Sequence, residues 1–183
     1  PEGELARMIF HELSHQVVYA DDDTAFNEAF ATAVEQLGAE LWLGSQAGEA
    51  ARAEYRRGNE RREQFRALIR DYRQRLTDLY AGPQSEAAKR VAKAALMQAL
   101  RDDHQRMKAQ GWGSAYDGWF ARANNASFAL MSAYSDLSPA FEALFERQGR
   151  DWTVFYAEVR RLASLPKAQR REELLKESRD GRY

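Results

Sequence analysis

His11-Glu12-Leu13-Ser14-His15, followed thirteen residues further on by Glu28 in Phe26-Asn27-Glu28-Ala29-Phe30-Ala31, is the stretch around which the rest of the chain is read. An α-helix turns by about 100° per residue, so two histidines four apart project from nearly one face, where their imidazoles can close on a single cation. Two imidazole nitrogens and a carboxylate suit zinc, and three protein ligands leave a fourth tetrahedral position open. An open position means catalysis rather than bracing. Glu12 is next to His11 but points off the ligand face, so it is expected to act as a general base on water and not as a ligand.

Met8, Ile9, Leu13, Val17 and Val18 surround the histidines, and this apolar company predicts a largely buried helix. A buried imidazole pair is costly without a metal or hydrogen-bond partners, which favours the metal-site reading over two ordinary histidines on an amphipathic helix. For the third ligand, Asp21, Asp22, Asp23 and Glu35 compete with Glu28. Glu28 is favoured because a turn over Ala20 to Asp23 reverses the chain and Asp23 or Thr24 can cap a second helix, placing Glu28 just inside it, facing the first. Thr32 and Glu35 follow at i+4 and i+7 on the same face, where they are expected to orient the imidazoles from behind. The three aspartates lack the spacing of a calcium loop and read as a solvated turn and cap.

The run Ile9-Phe10-His11-Glu12-Leu13-Ser14-His15-Gln16, then Asp23 to Glu35, resembles the bacterial putative aminopeptidase family, and more distantly the gluzincin metallopeptidases. The similarity continues through Asn124-Asn125-Ala126, Tyr134 and Pro139-Ala140-Phe141. It implies a zinc-dependent peptidase with His11, His15 and Glu28 as ligands and Glu12 as base. By likeness to thermolysin it also implies that Asn27 touches a ligand histidine. Large zinc aminopeptidases hold the developing oxyanion with a downstream tyrosine, which makes Tyr134 the first candidate here and Tyr116 the second. The connection between His15 and Glu28 is shorter than in the better-known gluzincins, and no Gly-x-Met-Glu-Asn segment is present to hold a substrate's free amine. Family members look like exported, periplasmic lipoproteins with a longer N-terminal part, so the chain is expected to be the C-terminal part of a longer protein whose upstream domain completes the cleft.

The chain has 183 residues, a formal net charge of −1 and no cysteine. Its length can bury a substantial core, its charge argues against a dedicated nucleic-acid binder, and neither disulfides nor a thiolate metal site can form. No apolar run approaches the roughly twenty residues of a membrane span. The resemblance implies a peptide substrate as the partner. The rival reading is a non-catalytic all-α interaction module, or an inactive piece that retains the motif.

The pattern is helical almost throughout, predicting an all-α, multi-helix domain over 1–183. Helices are expected at about Glu4 to Tyr19 and Thr24 to Leu43, the latter stopped near Gly44. Two long helices, Gln46 to Tyr80 and Ser85 to Gln110, are broken apart by Gly82-Pro83 and should pack as an antiparallel hairpin, a subdomain over 46–110. The arginines of the first are interleaved with Glu49, Glu54, Glu60, Glu63 and Asp71, so they read as a solvated face rather than a phosphate stripe. His104 is expected at a surface or helix end, and Tyr116, Trp119 and Phe120 in a packed aromatic cluster. Asn124 and Asn125 either cap the following helix or hold a peptide backbone. Three helices close the chain, with Ser138 and Asp151 as caps and a frayed end at Arg179 to Tyr183.

Overall fold

The computed structural model describes residues 2–46, 48–135 and 137–179. Among these the regular structure is all-helical: α1 (Glu2–Val17), α2 (Thr24–Gln46), α3 (Glu49–Ala81), α4 (Glu86–Met107), α5 (Asp117–Arg122), α6 (Asn125–Ser135), α7 (Ser138–Arg147), α8 (Trp152–Ala163) and α9 (Lys167–Arg179). A five-residue π-helical turn, Lys108–Trp112, follows α4. No helix of the described residues is long and apolar enough to cross a membrane. The chain divides into two compact units, Pro1–Arg57 with Ser132–Tyr183, and Gly58–Met131, so the boundaries fall inside α3 and α6.

In the first unit α2 is the central helix. Phe26, Phe30, Val34 and Leu37 are buried in one core with Phe141, Leu144, Phe145, Phe155, Val159, Leu162 and Leu174 from α7, α8 and α9. The rings of Phe26 and Phe141 meet edge to face at 5.1 Å, and burying each such side chain contributes about 1.5–3 kcal/mol. With these rings fixed, the opposite side of α2 is held at a defined angle to receive α1.

That reception works through small residues. Gly3, Ala6 and Ser14 of α1 are buried, and a Cβ on Gly38 would lie 3.0 Å from the ring of Phe10. The close approach corrects the expectation of a largely buried first helix: Met8 (57% exposed), Ile9 (46%) and Leu13 (56%) face outward. Their side chains stand on the far side of the helix from these buried small residues, of which Gly3 lies against Tyr55 of α3, so apolar composition alone misassigned the face.

The turn between the two helices is tied down twice. Asp23 accepts a hydrogen bond from the Phe26 amide at 3.2 Å, capping α2. It is also buried, as is Arg170 of α9, whose Nη1 donates to Asp23 at 2.9 Å and to Asp22 at 3.0 Å. Arg170 spends its remaining donors on the carbonyls of Leu162, Ala163 and Leu165. Asp23 is thus a paired, buried acid and not part of a solvated turn.

In the second unit α3 and α4 run antiparallel. Phe65, Ile69, Tyr72 and Leu76 share a core with Met97 and Leu100, the Tyr72 hydroxyl donates to Asp103 at 2.5 Å, and Lys89 donates to the Tyr80 carbonyl at 2.8 Å. Ser85 caps α4 by accepting from the Ala88 amide. Trp112, Phe120 and Phe128 complete this core, with Tyr116 stacked on Phe65 at 4.4 Å. Gly111 (φ 100°) and Gly113 (φ 68°) make the turn that ends the π-helical stretch, conformations open to glycine. Arginines of α3 pair with acids of the same helix at Arg56–Glu49 and Arg75–Asp71, both 2.8 Å, and at Arg66–Glu63, 2.6 Å.

Some expected boundaries move. α2 passes through Gly44 to Gln46, and α7 begins at Ser138 with Leu137 in the cap position and no side-chain cap. Asp151 caps α8, accepting from the amides of Thr153 and Val154.

Candidate metal centre

Three donors converge on the α1–α2 interface. His11, His15 and Glu28 each offer one ligand atom, and these atoms lie within 4.8 Å of one another. Glu28 divides its carboxylate between the two rings, with Oε2 3.4 Å from His11 Nε2 and Oε1 3.8 Å from His15 Nε2. The two imidazoles are nearly perpendicular, their centroids 5.1 Å apart. Ligand bonds of about 2.0–2.1 Å at tetrahedral angles place neighbouring donors about 3.3–3.4 Å apart, a spacing near the 3.4 and 3.8 Å that separate Glu28 from the two rings.

Glu35 stands behind His11. Its Oε2 is 3.1 Å from His11 Nδ1, and because a carboxylate only accepts, Nδ1 is the donor of that bond, while Nε2 faces Glu28. The Glu35 hydrogen bond is the largest influence raising the His11 pKa above its ordinary value; burial opposes it, and the charges of Glu35, Glu28 and Glu12 add to it. For Glu35, burial pushes upward, but the His11 hydrogen bond and the Arg7 guanidinium outweigh it and hold the carboxyl below the usual glutamate value. His15 is backed differently: its Nδ1 is buried without a hydrogen-bond partner among the described residues.

Asn27 departs from what thermolysin's likeness implied. Its carboxamide accepts from the Ala20 amide and donates to the Ala20 carbonyl, both at 2.8 Å, and touches neither histidine in those bonds. It staples the end of the α1–α2 turn to the first turn of α2, which fixes where the next residue, Glu28, points. Thr32 is buried on the same helix. Asp22 and Asp23 belong to Arg170, and Glu35 is engaged on the far nitrogen of His11, so Glu28 is the carboxylate that faces both Nε2 atoms.

Glu12 is exposed and lines a cleft of about 230 Å³ together with Glu4, Arg7, Met8, His11 and Glu35. It is thus placed beside the donor set without joining it. The side chain of Tyr134 lies outside the described residues, as do Asp180 to Tyr183. Tyr116, Asn124 and Asn125 belong to the second unit. There Asn124 Oδ1 accepts from the amides of Ala126 and Ser127, capping α6, and Asn125 donates to the Tyr80 hydroxyl at 2.9 Å. His104, expected at a surface or helix end, stands in the last turn of α4, buried there and stacked on Phe120 with ring centroids 3.9 Å apart.

Two residues of this site escaped the sequence reading. Arg7 pairs with Glu35, and the exposed Tyr19 sets its ring edge-on to His15 at 6.1 Å. For Arg7 the signal was available: Arg7, His11 and His15 succeed one another at intervals of four on one side of α1, whereas Tyr19 lies beyond its end at Val17.

The fold and this cluster define an all-α protein carrying a His-His-Glu group suited to a metal ion. The model of the Putative aminopeptidase family matches residues 1–174, and the chain belongs to that family. No curated protein and no solved structure matches it.

Proposed function

We propose that the chain is a zinc-dependent peptidase of gluzincin type, with His11, His15 and Glu28 as the metal ligands and Glu12 as the general base. The observation that carries this reading is the convergence of the three donor atoms within 4.8 Å beside an exposed glutamate. A zinc ion held by His11, His15 and Glu28 would supply Lewis-acid activation of water and of the substrate carbonyl. Glu12 takes a proton from the attacking water, the oxygen bonds to the carbonyl carbon, and the same proton returns to the amine nitrogen as the C–N bond breaks. Asn27 keeps Glu28 in register by holding Ala20. Tyr134 is assigned the oxyanion donor on the family resemblance alone. The family's description favours release of residues from a peptide's amino end.

The test is metal analysis of the purified chain alongside hydrolysis of aminoacyl anilides and of N-blocked peptides. One zinc per chain, with turnover reduced about 10²–10⁴-fold in Glu12→Gln and zinc retained, is the expected result. Unaltered turnover in that variant removes Glu12 from its role. A second reading, a non-catalytic interaction module, draws on the exposed Leu5, Met8, Ile9 and Leu13 along α1. Intact folding with no bound metal and no hydrolysis would favour it.

A further inference from the structure

Arg7 is a charged side chain left only 9% exposed on a helix whose large apolar residues face solvent, an arrangement that calls for a reason. Its Nη2 pairs with Glu35 Oε1, and its Nη1 lies 3.4 Å from Glu4 Oε2. Glu35 gives its other oxygen to His11 Nδ1 at 3.1 Å, and His11 Nε2 faces Glu28. Each carboxylate oxygen of Glu35 therefore has one task, and the guanidinium decides which oxygen is left for the imidazole. We infer that Arg7 is a positioning residue for metal binding, one that locks the Glu35 carboxylate so that His11 presents Nε2, in the correct tautomer, to the cation.

The physical reason lies in what Glu35 would do alone. A largely buried carboxylate without its cation pays a desolvation cost and is free to rotate about its last torsion. The acceptor behind Nδ1 is then out of place for part of the time, and the ring can turn. Groups that hydrogen-bond a metal-bound histidine from behind affect metal affinity by about 10–100-fold. Arg7 acts one contact further out, through Glu35. A lysine in its place supplies a point charge but not the planar fork that reaches both Glu4 and Glu35.

This inference rests on the metal reading above, and its test separates the two. Zinc affinity of the full chain is measured by competition with a chromophoric chelator for wild type, Arg7→Met, Arg7→Lys, Glu35→Gln and the Arg7→Met/Glu35→Gln double variant, with helix content followed by circular dichroism. Arg7→Met is expected to weaken zinc binding about tenfold or more, Arg7→Lys by less but still several-fold, and the double variant no further than Glu35→Gln. If wild type binds no zinc, the metal reading fails and takes this inference with it. If wild type binds zinc and Arg7→Met binds equally well, or the two substitutions are additive, only the positioning role is overturned. Should Arg7→Met not fold, Arg7→Lys decides: affinity equal to wild type overturns the inference.

Discussion

His11 in the first unit and His104 in the second start from similar neighbourhoods and end in opposite states. Each has a carboxylate close by, Glu35 at 3.1 Å and Asp117 at 3.3 Å, and each carboxylate also answers to a cation, Arg7 or Lys108. His11 is nevertheless pushed up in pKa and His104 down. At His11 a well-formed hydrogen bond and two further acids, Glu28 and Glu12, surround a ring whose second nitrogen faces Glu28. At His104 burial dominates: the ring lies flat on Phe120, and its Nε2 does not make a hydrogen bond with Asp117. Proximity to one acid does not make a histidine chemical; the convergence of several donors on its free nitrogen does.

That contrast can be broken in several ways. The largest effect is expected from Glu28→Ala or His15→Ala, which removes one of three donors: zinc should fall from about one per chain to none after dialysis, whereas His104→Ala should leave the stoichiometry unchanged in whatever fraction folds. Zinc retained in Glu28→Ala would hand the third position to another acid. Next comes Arg170→Met, which leaves the buried Asp23 without its guanidinium at the turn joining α1 and α2. Denaturant unfolding should show a loss of about 3–5 kcal/mol, and a loss below 1 kcal/mol would mean the turn is held by Asn27 and the core alone.

Smaller still is the pH response of the second unit. The folded pKa of His104 lies below its unfolded value, so the unfolded chain takes up the proton first as the solution is acidified. Stability owed to the neutral ring is complete above a pH of about 6.5 and drains away as the pH falls through the folded pKa. Hydrogen exchange of α4 and α5 amides should quicken over that range, and His104→Gln should flatten the response; an unchanged slope would put its origin elsewhere. The least effect is expected from Asn124→Ala, about 1 kcal/mol from a lost cap. A changed KM for peptides with unchanged stability would restore Asn124 to a substrate-binding role.

The all-helical character was legible because periodicity and capping are local. Asp23 and Asp151 serve as caps where the pattern placed them, Ser138 instead lies inside α7, and the Gly82-Pro83 break separates the hairpin helices. Asn124 shows the limit, since a paired amide before a helix fits capping and ligand binding equally well until its hydrogen bonds are seen. The outward turn of Met8, Ile9 and Leu13 was not legible, because which side of an apolar helix is buried depends on where its neighbour can come close. Here Gly3, Ala6 and Gly38 made that choice.

The sequence by itself determined that His11 and His15 share a helical face, because 3.6 residues per turn is a property of the backbone and needs no partner. Only the tertiary structure decided which acid would meet them, that Asn27 would hold the turn and not a ring, and that Arg7 would stand behind Glu35. Those contacts join residues 7 to 28 positions apart, and their geometry is set by how closely two helices pack, which no local spacing encodes.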